Sequence, residues 1–269
     1  VESVITAKDV DIIYEIPLVL HKEGLDDIIL ENLKIWTKEP DFSKWENIVS
    51  KIKKLKNEVN IAVVGKYIDL KDAYKSLHEA LYHASFHNNL KLKINYIDSE
   101  DLEKSQPKNL LSDCDGILVP GGFGNRGING MLLVAQFCRE KNIPILGICL
   151  GMHIMCIEAA RQIYGFSCNS EEFEYDAKHP IISIVNDDNK DMGGTMKLGL
   201  HKTYLTKSNN GSLTTAYKCY SDIECEQKND IEYICERHRH RYEVNPKYRE
   251  DLSSKLFFSG KDAEEQCID

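Results

Sequence analysis

The chain has 269 residues, 42% hydrophobic and 29% charged, with a formal net charge of −9. That composition fits a folded protein with one large domain plus extra pieces or two modest domains. It argues against a nucleic-acid surface as the main business, and no apolar run approaches the roughly 18 residues that span a bilayer. Nine cysteines make an odd count with no Cys-x-x-Cys pair, so neither a zinc ribbon nor a dithiol site is expected, and no metal. Free thiols in a reducing compartment, the cytoplasm, are the simplest expectation. The amino terminus shows no basic stretch followed by an apolar one, hence no secretion signal, and Val1 in place of methionine leads us to expect a fragment.

Residues 1–40 follow neither a helical nor a strand pattern and end at Pro40-Asp-Phe-Ser-Lys-Trp45, which reads as a boundary. Residues 41–58 are expected to form a linker with a helix, whose basic run Lys51-Ile-Lys-Lys-Leu-Lys56 is a solvated helix end. The main domain is placed at 59–269. Asn60-Ile-Ala-Val-Val-Gly65 has the short, β-branched character of a buried parallel strand. Asp72 is a plausible N-cap for a helix to Ala84, with Ala73, Leu77, Ala80, Leu81 and Ala84 at helical spacing. Strands are predicted over 91–98, 116–120 and 143–148, with a helix over 131–141 between the last two. Strands alternating with helices imply right-handed crossovers and an open, mostly parallel α/β sheet with helices on both faces. Ligands of such sheets sit outside the carboxyl ends of the strands. Beyond Gly165 the pattern turns strand-rich and irregular, with a strand over 179–185, a polar turn at 186–191 and a loop at Asn209-Asn-Gly-Ser212.

Chemistry concentrates in three places. Pro144-Ile-Leu-Gly-Ile-Cys-Leu-Gly-Met-His153 runs an apolar strand into Gly-x-Cys-x-Gly and straight on into a helix, a nucleophile elbow with Cys149 in the nucleophile's place. The helix amino terminus aims N–H groups and a positive dipole end at the sulfur, which favours thiolate. Pro120-Gly-Gly-Phe-Gly-Asn-Arg-Gly127 spells a dinucleotide-type Gly-x-Gly-x-x-Gly, but no suitably placed ribose acid follows. It reads better as an oxyanion hole, in which the amides of Gly122 and Leu150 point at one developing negative oxygen. Glu236-Arg-His-Arg-His-Arg-Tyr-Glu-Val-Asn245, if extended, puts Arg237, Arg239 and Arg241 on one face and His238 and His240 on the other. Two readings stay open there: a guanidinium clamp for a carboxylate or phosphate, and a solvated strand edge. Spacing alone gives little support to His240 as base for Cys149. Met192-Gly-Gly-Thr-Met-Lys-Leu-Gly199 reads as a hairpin.

Together Gly-Ile-Cys-Leu-Gly-Met and Pro-Gly-Gly-Phe-Gly-x-Arg-Gly resemble the class I glutamine amidotransferases. Val64-Gly-Lys-Tyr67 with Asp72-Ala-Tyr-Lys-Ser76, Gly193–Gly199 and Arg237–Asn245 narrow the resemblance to the CTP synthase family, and it covers nearly the whole chain. It implies a flavodoxin-like α/β domain, with residues 1–40 as the tail of a synthetase domain. It also implies a cysteine nucleophile at Cys149 and oxyanion amides at Gly122 and Leu150. Glutamine would be bound by Gly122, Leu150, Gly151, Met152, His153, Glu172 (for the α-amino group) and Arg241 (for the α-carboxylate). Ammonia released from L-glutamine would reach the synthetase domain of the same enzyme through an internal tunnel. There ATP and magnesium would drive amination of UTP to CTP, with GTP as activator, sensed near Lys197. The domain in hand needs no cofactor of its own, and the family is typically homotetrameric.

Two departures accompany the resemblance. Family members usually carry glutamine where this chain has His153, which matters if the side chain, rather than the backbone, serves there. The family's base and its orienting acid lie in a His-Pro-Glu motif near the carboxyl end, and no such motif occurs here; the one His-x-Glu is His21-Lys-Glu23. Truncation is therefore expected, and with it poor activity. Alternatives are an inactive glutamine- or partner-binding module, or another class I amidotransferase or γ-glutamyl hydrolase, against which residues 1–36 and the Arg237–Asn245 block speak.

Overall fold

Nine residues from Asn57 to Gly65 form β1, whose last four are fully buried. Their unbroken β-branched and small side chains suit a strand covered on both faces. In the computed structural model the described residues are 3–68, 70–184, 196–207, 211–221 and 233–262. The chain divides into two compact units, Val1–Asn60 with Tyr74–Ile94, and Ile61–Ala73 with Asn95–Asp269.

The first unit holds α1 (Ile16–Lys22), α2 (Leu25–Leu33), α3 (Ser43–Lys53) and α4 (Lys75–His87). Tyr14 stacks on Trp45 and meets Phe86 edge-on, which ties α3 and α4 to the residues before α1. Helices α1 and α2 were not expected from the sequence reading. Neither buries a residue, and although Leu25, Ile28, Ile29 and Leu33 of α2 do recur at helical spacing, the expectation of no pattern in residues 1–40 is corrected by these two short helices. Asp72 is not the N-cap expected of it. Residues Lys71–Tyr74 make a 3₁₀ turn and α4 starts only at Lys75, because the chain enters the helix through a tighter i→i+3 turn.

The strands continue with β2 (Leu90–Asp98), β3 (Gly116–Val119) and β4 (Ile145–Gly147). With β1 they form a four-stranded sheet in the order β2-β1-β3-β4, and β1–β3 and β3–β4 are parallel pairs. Helices α5 (Asp101–Lys104) and α6 (Pro107–Leu111) lie between β2 and β3, α7 (Ile128–Lys141) lies between β3 and β4, and α8 (Leu150–Tyr164) follows β4. This is the open parallel α/β sheet flanked by helices that the sequence led us to expect. The core joins Ala62 and Val64 of β1 and Ile117 and Val119 of β3 to Met131, Val134 and Cys138 of α7 and Leu150, Ile154 and Ile157 of α8. Burying such side chains stabilises the fold by about 1.5–3 kcal/mol each, which anchors α8 firmly.

Further along lie β5 (Cys168–Ser170), β6 (His179–Ile184), β7 (Lys197–Leu205), α9 (Thr215–Ser221), β8 (Tyr233–His240), β9 (Tyr242–Val244), α10 (Arg249–Leu252) and β10 (Gly260–Lys261). They make two small sheets, β5-β6-β9 and β10-β7-β8. The strand-rich carboxyl half was expected. The polar turn at 186–191, and the parts of the glycine-rich segment and of the Asn209 loop at 192–195 and 209–210, lie outside the described residues.

Candidate active site

Two glycines shape the elbow. A Cβ on Gly147 would lie 2.4 Å from the carbonyl carbon of Gly151, and one on Gly151 would lie 2.0 Å from the Val119 carbonyl oxygen. Both clashes would be with backbone, so β3, β4 and the start of α8 meet at a distance only glycine permits. Between them Cys149 takes φ 54°, ψ −107°, a costly conformation for a residue with a side chain and one that clusters at functional sites. The sulfur is thereby lifted off the carboxyl edge of the sheet at the first turn of α8.

The Leu150 N–H donates a hydrogen bond to the Cys149 sulfur and pulls its pKa down, as a helix amino terminus should. Burial acts the other way and is the stronger effect, and Glu172 and Glu243 add to it, so the thiol is pushed above its ordinary value. The expectation that the helix end would by itself favour thiolate is thus corrected: one amide and a dipole do not offset desolvation and two nearby carboxylates.

The glycine-rich loop after β3 lies against the elbow. A Cβ on Gly121 would stand 3.5 Å from Cys149 Cβ and 4.0 Å from its sulfur, and one on Gly122 would stand 3.2 Å from Leu150 Cδ2. Gly122 and Leu150, paired in the sequence argument, are therefore neighbours. Glu172, in the turn after β5, accepts a 2.7 Å hydrogen bond from the Gly124 N–H, and its own amide donates to Ser170 Oγ at 3.1 Å. The structure thus brings Cys149, Leu150, Gly122 and Glu172 to one edge.

Gly151 and Met152 follow in the first turn of α8, Gly151 buried and Met152 partly so. His153 is only 4% exposed and turns inward, its ring hydrogen-bonded to the Tyr242 carbonyl. Burial, reinforced by His240, drives its pKa down to about 4, so it is neutral at ordinary pH. Arg241 is exposed at the bend between β8 and β9. The alternation read along this segment is present: Arg237 and Arg239 are exposed, His238 and His240 face inward. His240 Nδ1 lies 3.2 Å from the Tyr242 carbonyl and 3.1 Å from Glu243 Oε1, and its Nε2 is 2.9 Å from His238 Nδ1.

Lys66 and Glu243 were given no role from sequence. Lys66 is the first residue past β1 and 3% exposed. Its Nζ donates to the carbonyl oxygens of Phe123, at 3.1 Å, and Gly124. Desolvation lowers its pKa to about 8 against the raising effect of Glu172. The signal that could have found it was position: it follows a glycine at the carboxyl end of a central strand, the edge where ligands bind. Glu243 gave no such signal, because a glutamate in a short strand reads as solvated until its burial is known. Among the described residues no cluster of three or more His, Cys, Asp or Glu is arranged to hold a metal ion.

The family described as glutamine amidotransferase class-I matches residues 69–268. Among curated proteins, a CTP synthase of Syntrophus aciditrophicus is 45% identical over 255 residues, 94% of this chain and 45% of its own length. One from Clostridium acetobutylicum is 42% identical over 272 residues, 100% of this chain and 48% of its own. The chain thus spans about half the length of these relatives. Among solved structures, the glutaminase domain of a Trypanosoma brucei CTPS, determined with bound acivicin, superposes with a TM-score of 0.64 at 39% identity. That match covers 75% of this chain and 74% of the other.

Proposed function

The chain belongs to the class I glutamine amidotransferases, in the branch of the CTP synthase glutaminase domains, and from that premise we propose that it hydrolyses L-glutamine with Cys149 as nucleophile. The observation that carries this reading is the positive-φ Cys149 at the start of α8, packed against the Gly121–Gly122 loop and within the field of Glu172.

In this reading the Cys149 sulfur attacks the side-chain amide carbon of glutamine. The negative oxygen so formed is held by the N–H groups of Gly122 and Leu150. The thiol proton goes to a base and from it to the departing nitrogen, which leaves as ammonia; water then cleaves the thioester to give glutamate and free thiol. Glu172 takes the substrate's α-ammonium and Arg241 its α-carboxylate, one fixed anion and one fixed cation for a zwitterion. Gly151 and Met152, and His153 through its backbone, complete the binding of the substrate in this reading. The ammonia serves a synthetase domain of the same cytoplasmic, homotetrameric enzyme. There UTP is phosphorylated on its 4-oxygen by ATP with magnesium and aminated to CTP, with GTP acting as activator.

The base is the part this reading assigns to none of the described residues. His153 is spent on the Tyr242 carbonyl, and His240 on Tyr242 and Glu243. The raised thiol pKa favours a second reading on its own account, a module that binds glutamine without turning it over. The test is Cys149→Ala in the native enzyme. Glutamine-dependent CTP formation should vanish while ammonia-dependent formation stays within about twofold of wild type. Glutamine-driven synthesis that survives the substitution would overturn the assignment.

A further inference from the structure

We propose that Lys66 is a positioning residue for the oxyanion loop: its ammonium, at the end of β1, fixes the Phe123–Gly124 peptides so that the Gly122 N–H stays turned toward Cys149. The proposal rests on the reading of Gly122 as an oxyanion donor. The Lys66 side chain runs beneath Gly122, where an added Cβ would meet its Cδ at 3.5 Å and its Cε at 3.7 Å. Beyond that point Nζ donates to two consecutive carbonyls, those of Phe123 and Gly124.

The same short stretch is held from its amide side by Glu172, which accepts the Gly124 N–H at 2.7 Å. A cation on the carbonyls and an anion on the amide leave that stretch one orientation. Without them Gly121-Gly122, followed by Gly124 at φ 71°, has wide backbone freedom. Arg126 closes the arrangement by donating to the Lys66 carbonyl and, at 3.0 Å, to Glu100 Oε2.

A buried ammonium is costly, and an apolar side chain of equal length would fill the space at lower cost. Lys66 is therefore best explained by what its charge holds. A preorganised donor contributes to the barrier only if its direction is set before charge develops. The expected effect thus falls on kcat rather than on glutamine affinity.

The test compares Lys66→Met and Lys66→Arg in the native full-length protein. Lys66→Met should lower kcat for glutamine hydrolysis by about 10- to 100-fold, since losing a whole oxyanion donor costs about 10²–10³. KM for glutamine and the rate of Cys149 alkylation by iodoacetamide, which needs no oxyanion hole, should stay within about threefold. Lys66→Arg should recover about tenfold of the loss. If Lys66→Met does not fold, Lys66→Gln keeps an N–H donor group without the charge and should show about a tenfold fall in kcat with the same KM. Should kcat stay within threefold, or KM alone rise, the proposal is overturned. Because Cys149→Ala is run alongside, glutaminase activity surviving in that variant identifies failure of the site reading itself, distinct from failure of the Lys66 role.

Discussion

At Cys149 two effects of known sign oppose each other. The Leu150 amide lowers the thiol pKa, and burial with Glu172 and Glu243 raises it by more. Iodoacetamide should therefore modify Cys149 at pH 7 more slowly than the exposed Cys219 and Cys235, with a rate that climbs through pH 9 and beyond. Peptide mass spectrometry would resolve the three sites, and a Cys149 rate that levels off below pH 7 contradicts the account. His153 gives a second, independent titration. Its folded pKa of about 4 lies below the ordinary 6.5, so the unfolded chain takes up a proton first as pH falls. The contribution is fully present above pH 6.5 and is lost on the way down to pH 4, on the order of 3 kcal/mol in all. His153→Gln should flatten the pH dependence of the urea midpoint across that window, and an unchanged slope would place the acid sensitivity elsewhere. The sequence revealed Cys149 because its glycines are a local signature. It could not reveal that His153 points inward, since that depends on Tyr242, 89 positions further along the chain.

Among the elements, the β3–β4–α8 junction is the tightest. The Cβ that Gly151→Ala would add lies 2.0 Å from the Val119 carbonyl oxygen, in a strand hydrogen-bonded to both neighbours. Gly165, at the end of α8, has φ 73° but nothing within 4 Å of its would-be Cβ. Gly151→Ala should cost about 2–4 kcal/mol through overpacking, and Gly165→Ala, whose φ 73° and ψ −163° fall in a region almost confined to glycine, about 1–3 kcal/mol through backbone conformation alone. A smaller loss for Gly151→Ala than for Gly165→Ala in urea unfolding would mean that the junction yields. Strands β1 and β3 were legible because both faces are buried and the apolar run is unbroken. β8 was legible only in part: the alternation of arginines with histidines fits a strand with one half-buried face, but the sequence alone did not decide that the segment is extended. β5, β9 and β10 were not legible, being three, three and two residues long, too short to show a period.

For the molecule as a whole, the decisive question is whether the chain assembles a complete catalytic set. The elbow, the oxyanion loop and Glu172 converge through residues far apart in sequence, and the parallel-sheet edge rule anticipated that edge from the strand pattern alone. What the sequence could not supply is the state of the inward-facing histidines, which burial and mutual contact decide. His238 meets His240, His240 meets the Tyr242 carbonyl and Glu243, and His153 is neutral and bonded to Tyr242. A protonated thiol needs an acceptor for its proton before it can attack. With these imidazoles engaged, this chain on its own should turn glutamine over at least ~10³-fold more slowly than a glutaminase whose cysteine has a free imidazole as partner, by analogy with the loss of one member of a catalytic triad. It should still capture glutamine, because the proposed clamps Glu172 and Arg241 do not depend on the base. Isothermal titration against glutamine, beside a glutamate-release assay, separates the two. Binding with turnover slowed to that extent is the expected result. Robust turnover would instead give one of these histidines the base's role, and His240→Ala in that event should abolish it.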